Sequence, residues 1–101
     1  KEDASPLASA QRELLEETGY GNGSWQEYMQ ISPNPSTHTN ITYCFLATGV
    51  EKISEQHLED TESLSVHLLT LAEVKELLQK GEIKQALMAA PLWKYIAEKG
   101  L

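Results

Sequence analysis

Arg12-Glu13-Leu14-Leu15-Glu16-Glu17-Thr18-Gly19-Tyr20 is the stretch on which the reading of this chain turns. Ser5 followed by Pro6 has the form of a helix cap and first turn. Leu7, Ala10 and Leu14 recur at helical spacing, and Gly19 stands where a left-handed carboxy-terminal cap belongs, so a helix is expected over Pro6–Thr18. On that helix Glu13, Glu16 and Glu17 stand at i, i+3 and i+4, three carboxylates on one face. Like charges at this spacing repel, and they lie near the helix end where the backbone dipole is negative. A hard divalent cation with oxygen ligands would remove both penalties. From spacing alone an exposed acidic helix end is an equally good account. Arg12 lies one turn before Glu16, placed to tether a carboxylate.

Working outward, Gly21-Asn22-Gly23-Ser24 reads as a turn and Trp25–Ile31 as a strand. Ser32–Asn40 reads as loop. Ile41, Tyr43, Phe45 and Ala47 alternate with Thr42, Cys44, Leu46 and Thr48, which predicts a second strand ending at Gly49. After the acidic, polar stretch Glu51–Glu62, Leu64, Val66 and Leu68 alternate with Ser63, Ser65 and His67, and a third strand with one wet face is expected there. Thr70 and Glu73 have capping-box spacing before the apolar stripe Leu71, Val74, Leu77 and Leu78, giving a second helix over Leu71–Lys80 closed by Gly81. Glu82–Lys99 is again helical in pattern, with Pro91 forcing a kink or a fresh start. The order helix, strand, strand, strand, helix, helix makes this one α+β domain over residues 1–101, with strands within 25–69 and helices within 71–99.

Composition agrees. The 101 residues are 41% hydrophobic and 23% charged, with 8 basic and 15 acidic side chains and a net charge of −7. An acidic chain without a basic stripe is a poor ligand for nucleic-acid backbones. No apolar run approaches the ~20 residues needed to span a bilayer, and the amino terminus is unlike a secretory signal. Cys44 is the single cysteine, which excludes an internal disulfide and a cysteine-based zinc site and suggests a reducing, cytoplasmic setting. His38, His57 and His67 have no spacing that suggests a triad or a zinc site, and surface histidine is their default reading. Trp25 and Tyr28 could stack on an adenine, with core or rim packing the commoner role of such residues.

The nine residues Arg12 to Tyr20, with the lead-in Ser5 to Gln11, resemble the core of the Nudix box, and the chain is similar to Nudix hydrolases throughout. Downstream, Asn34-Pro35, the strand Ile41–Gly49, the acidic stretch ending at Glu62 and the Gly81-Glu82-Ile83 turn are similar in order and spacing to the branch of ADP-ribose and other ADP-sugar pyrophosphatases. The resemblance implies an α/β/α sandwich that holds Mg²⁺ or Mn²⁺ and hydrolyses a nucleoside diphosphate linked to another group by metal-assisted attack of water. It implies that Glu13, Glu16 and Glu17 are metal ligands and that Arg12 orients Glu13. A general base from outside the box is expected, with Glu62 the candidate and Glu59 its alternative.

This sequence departs from the pattern in two places. The box has a further glutamate eight positions before Arg12, where this chain has Ala4, with Glu2 and Asp3 nearby but out of register. The glycine that opens the box and the family's first strands would lie upstream of Lys1. A sheet short of strands leaves open edges and an apolar helix face, so either the missing strands are expected in the native gene product, or self-association is, as a homodimer through sheet and helix surfaces. The same departures support an alternative, a catalytically impaired Nudix remnant that binds a nucleotide or a protein.

Overall fold

Ser5 stops the chain from entering a helix at random: its hydroxyl accepts a hydrogen bond from the Ala8 amide at 3.1 Å, and Pro6 supplies a pre-set first helical residue. The computed structural model describes residues 5–33, 41–59 and 63–101. In it the helix α1 spans Pro6–Thr18, as the caps predict. Gly19 ends it at φ +81°, its amide bonded to the Leu15 carbonyl at 2.8 Å. Only glycine fits there, since a Cβ would lie 2.1 Å from the Ser54 carbonyl oxygen.

Four strands follow among the described residues: β1, Tyr20–Gly21; β2, Ser24–Ile31; β3, Thr42–Thr48; and β4, Glu51–Lys52. β2 and β3 are the two expected strands and pair with each other. β1 and β4 are two-residue pieces with no sequence signal of their own. They pair antiparallel, Tyr20 opposite Lys52 and Gly21 opposite Glu51. The strand expected over Ser63–Leu68 is corrected by the structure: residues 63–70 join no ladder among the described residues and are exposed. Leu64 keeps 46% and Leu68 76% of its surface. Alternation suits a segment to a strand but does not supply its pairing, and a segment that joins no ladder stays irregular.

The helix α2, Leu71–Gln79, starts with the expected capping box. The Glu73 amide donates to Thr70 Oγ1 at 3.1 Å, and the Thr70 amide to Glu73 Oε1 at 2.8 Å. The last helix, α3, is shorter than the pattern suggested, Ala86–Glu98, because the Gln85 side chain caps it by accepting from the Leu87 and Met88 amides. It runs through Pro91 without a fresh start.

The architecture is α+β. It divides into two compact units, one drawn from Lys1–Tyr28 and Phe45–Val66, the other from Met29–Cys44 and His67–Leu101. In the first, α1 packs on β1, and β1 on β4. In the second, α2 packs on α3, each contributing one buried residue, Leu78 and Ile96. Among the described residues the buried apolar side chains are those two and Tyr28, and Ile96 is the one fully enclosed.

Cys44 on β3 is half-buried, and burial pushes its thiol pKa up. Less thiolate at a given pH means slower attack on a disulfide reagent. Cys44 is therefore expected to react with Ellman's reagent at pH 8 more slowly in the folded chain than in urea, and equal rates would contradict this placement.

Candidate active site

The local sequence builds the acidic face in three steps. α1 is held open at its start by Ser5 and closed at its end by Gly19, so Glu13, Glu16 and Glu17 fall within its last two turns. Arg12 then draws two of the three together. Its Nη1 donates to Glu16 Oε1 at 2.9 Å, and its Nη2 lies 3.9 Å from Glu13 Oε2. A guanidinium can serve two carboxylates because its donors are fixed in a planar fork. The Arg12, Glu13 and Glu16 side chains keep 34%, 57% and 44% of their surface, so the group faces solvent and can meet a ligand.

The third step is the end of the helix. Thr18 Oγ1 donates to the Leu14 carbonyl at 2.6 Å and accepts from the Tyr20 amide at 3.0 Å. The terminal carbonyls that a helix leaves unpaired are then taken up by a strip of chain far away in sequence. Amides of Ile53 and Ser54 both donate to the Gly19 carbonyl, at 2.8 and 3.1 Å. The His57 amide donates to Glu16 O at 2.7 Å, and Gln56 Nε2 to Glu17 O at 2.7 Å. Gln56 Nε2 also reaches the Leu64 carbonyl at 3.3 Å. Nothing in the polar run 51–62 announced this role in the sequence, because backbone donors carry no residue signature.

These contacts revise one expectation. Repulsion within the trio and the negative helix end are offset in part by the chain itself, through Arg12 and through the 53–57 strip. Among the described residues no three of His, Cys, Asp and Glu are gathered closely enough to hold an ion. The donor set nevertheless fits a hard divalent cation: the candidates offer carboxylate oxygens, on helix positions whose Cβ atoms are about 5–6 Å apart. The exposed side chains of Glu13 and Glu16 have rotamer freedom with which to converge.

The other candidates separate clearly. Glu59 is exposed, a short way beyond the 53–57 strip. Glu62, the first candidate base, lies outside the described residues, as do Ala4, Glu2, Asp3, His38 and Asn34-Pro35. His57 and His67 are exposed, and His57 meets α1 through its backbone amide. Tyr28 is buried, whereas Trp25 is half-buried with its indole N–H bonded to the Asn22 carbonyl at 2.8 Å. No helix among the described residues is long and apolar enough to cross a membrane.

Comparison with known proteins gives a single strong result. No curated protein matches the chain. The family model for the NUDIX domain matches residues 1–90, a span that takes in α1, the four described strands, α2 and the start of α3. With so much of its length matched, the chain belongs to the NUDIX domain family.

Proposed function

We propose that this chain is a pyrophosphohydrolase that cleaves a nucleoside diphosphate linked to a second group, an ADP-sugar-like substrate, on the carboxylate face of α1. Members of the family act on nucleoside diphosphate derivatives and generally use divalent ions such as Mg²⁺. The observation that carries the reading is the Arg12 fork holding Glu16 at 2.9 Å and Glu13 at 3.9 Å.

In this reading Glu13, Glu16 and Glu17 hold Mg²⁺ or Mn²⁺. When bound, the ion would neutralise pyrophosphate charge and lower the pKa of an attacking water. Arg12 keeps Glu13 and Glu16 aimed along one side of the helix, so less rotamer entropy is lost when a ligand arrives. Glu62, or Glu59 in its place, accepts the proton of the water as its oxygen bonds to phosphorus. The bridging P–O bond breaks, and the bridging oxygen leaves with the other phosphate.

The direct test incubates the chain with Mg²⁺ or Mn²⁺ and ADP-ribose, other nucleotide sugars, diadenosine polyphosphates and nucleoside triphosphates, beside Glu16→Gln and Glu17→Gln. Turnover lost in both variants supports the enzyme. A second reading, a nucleotide- or protein-binding member without turnover, is supported by Ala4, which stands where the family's box has a further glutamate. Ion binding with no turnover on the whole panel would establish it.

Self-association belongs to the same proposal. Leu64, Val66, Leu68 and Leu69 keep between 41% and 76% of their surface, and among the described residues both ribbons are two-stranded, with open edges. A second copy of the chain is the proposed cover, in a cytoplasmic setting. Size-exclusion chromatography with light scattering is expected to give twice the monomer mass; a monodisperse monomer at high micromolar concentration would refute it.

A further inference from the structure

Glu16 and Glu17 sit in the last turn of α1, where a helix leaves its own carbonyls without helical partners. Donors from residues 53–57 reach that helix end, and those of Ile53, Ser54 and His57 are main-chain amides that any residue would supply. Gln56 is the exception. Its Nε2 donates to the Glu17 carbonyl at 2.7 Å and to the Leu64 carbonyl at 3.3 Å, across 39 and 8 positions of chain. We propose that Gln56 is a positioning residue for the carboxylate face, holding the backbone under Glu17 so that a divalent cation meets a turn already ordered. The inference rests on the hydrolase reading for what the bound ion then does.

The direction of each Cα–Cβ bond is set by the backbone, so whatever fixes the peptide groups of a helix end fixes where its side chains begin. A terminal turn left to itself opens at almost no cost in free energy. In α1 the carbonyls of Leu15, Glu16 and Glu17 are taken in turn by the Gly19 amide, the His57 amide and Gln56 Nε2. Gln56 therefore closes the turn at the last carboxylate-bearing residue of the helix. Without it, an arriving ion would have to order the backbone as well as the side chains, and affinity would fall by that entropy.

The residue type suits the task. A carboxamide nitrogen carries two hydrogens, which matches two carbonyl acceptors, and it carries no charge. Lysine or arginine could also donate, but would set a positive charge beside the carboxylates in competition with the cation. The second bond extends the hold. Glu59, the described candidate base, lies in the chain between Gln56 and Leu64, two points tied through one amide. The cavity of about 280 Å³ lined by Gln11, Leu15, Trp25 and Ile53 is a separate feature: at about 100° per residue, Gln11 and Leu15 fall on the flank of α1 opposite Glu13, Glu16 and Glu17.

The test replaces Gln56 by methionine, which keeps its length and gives up both N–H donors, and titrates Mn²⁺ by calorimetry. The dissociation constant is expected to rise about tenfold, the low end of what losing an outer partner of a metal ligand costs, with stoichiometry unchanged. A purely structural role would instead remove folded chain, lowering the stoichiometry and leaving the constant where it was. At saturating Mn²⁺, kcat for the best nucleotide substrate should fall about tenfold while KM stays within about twofold. Gln56→Asn, a methylene shorter, should weaken Mn²⁺ binding in the same direction, and it decides if the methionine variant fails to fold by circular dichroism. Dissociation constants within about twofold of the parent in the folded variants overturn the positioning role, and leave the hydrolase intact where the parent turns over nucleotides and Glu16→Gln does not. Weakened Mn²⁺ binding by the Gln56 variants of a chain that turns over no nucleotide keeps the positioning role and removes the hydrolase. A parent that binds no Mn²⁺ removes both.

Discussion

Glu16→Gln is expected to lower turnover of the best nucleotide substrate by about a hundredfold or more while leaving the fold almost untouched. Loss of a partner that merely orients a metal ligand costs about 10–100-fold, and loss of a ligand should cost at least the upper end of that range. The amide keeps the shape of Glu16 but gives up its charge, and with it the 2.9 Å ion pair with Arg12 and, in the proposed role, its hold on the cation. The stability cost is small because that pairing is an exposed i,i+4 contact, worth about 0.3–0.5 kcal/mol. A melting temperature lower by only a few °C is expected, at about 4–8 °C per kcal/mol for a domain of this size. Calorimetric titration with Mn²⁺ should show weakened binding in parallel with the rate. A rate within threefold of the parent would remove Glu16 from the site.

Gly19→Ala should do the reverse, unfolding the chain rather than disabling a group. Alanine at φ +81° costs about 1–2 kcal/mol for its left-handed backbone alone. The added Cβ would also stand 2.1 Å from the Ser54 carbonyl oxygen, a backbone atom. Ser54 can retreat only by giving up the two amide bonds to the Gly19 carbonyl, each worth about 0.5–1.5 kcal/mol. The sum is about 3 kcal/mol, or roughly 12 °C or more in melting temperature. Gly49→Ala is the matched control: φ is +73° there, but no atom lies within 4 Å of the new Cβ. It should lose only about 1–2 kcal/mol. Equal losses at the two positions would mean that the Ser54 contact is not what demands glycine at 19.

Sequence reasoning succeeded where the determinant is local. Both ends of α1 were legible because Ser5, Pro6 and Gly19 act on their own neighbours, and the Thr70–Glu73 box is likewise contained within one turn. It failed over 63–68, where the alternation is real but a strand also needs a partner edge. β1 and β4 were missed for the converse reason: two residues each, they exist only through pairing with one another. The Arg12 tether to Glu16 was readable from helical spacing, and the 2.9 Å i,i+4 pairing matches it; the 3.9 Å approach to Glu13 has no such signal in the spacing. Strip 53–57 was invisible, because three of its four donors are backbone amides. Trp25 was singled out, with packing as its default, and only the structure puts it on a cavity wall.

Closing the last turn of α1 with residues 53–57 also imposes an order of events on the newborn chain. The bond from Gln56 to Glu17 joins residues 39 positions apart, a separation that must be closed against loop entropy before that turn is complete. A ribosome that has released the chain only as far as residue 50 therefore presents a frayed helix end. The acidic face acquires its final shape only when residues 53–57 have folded back onto it.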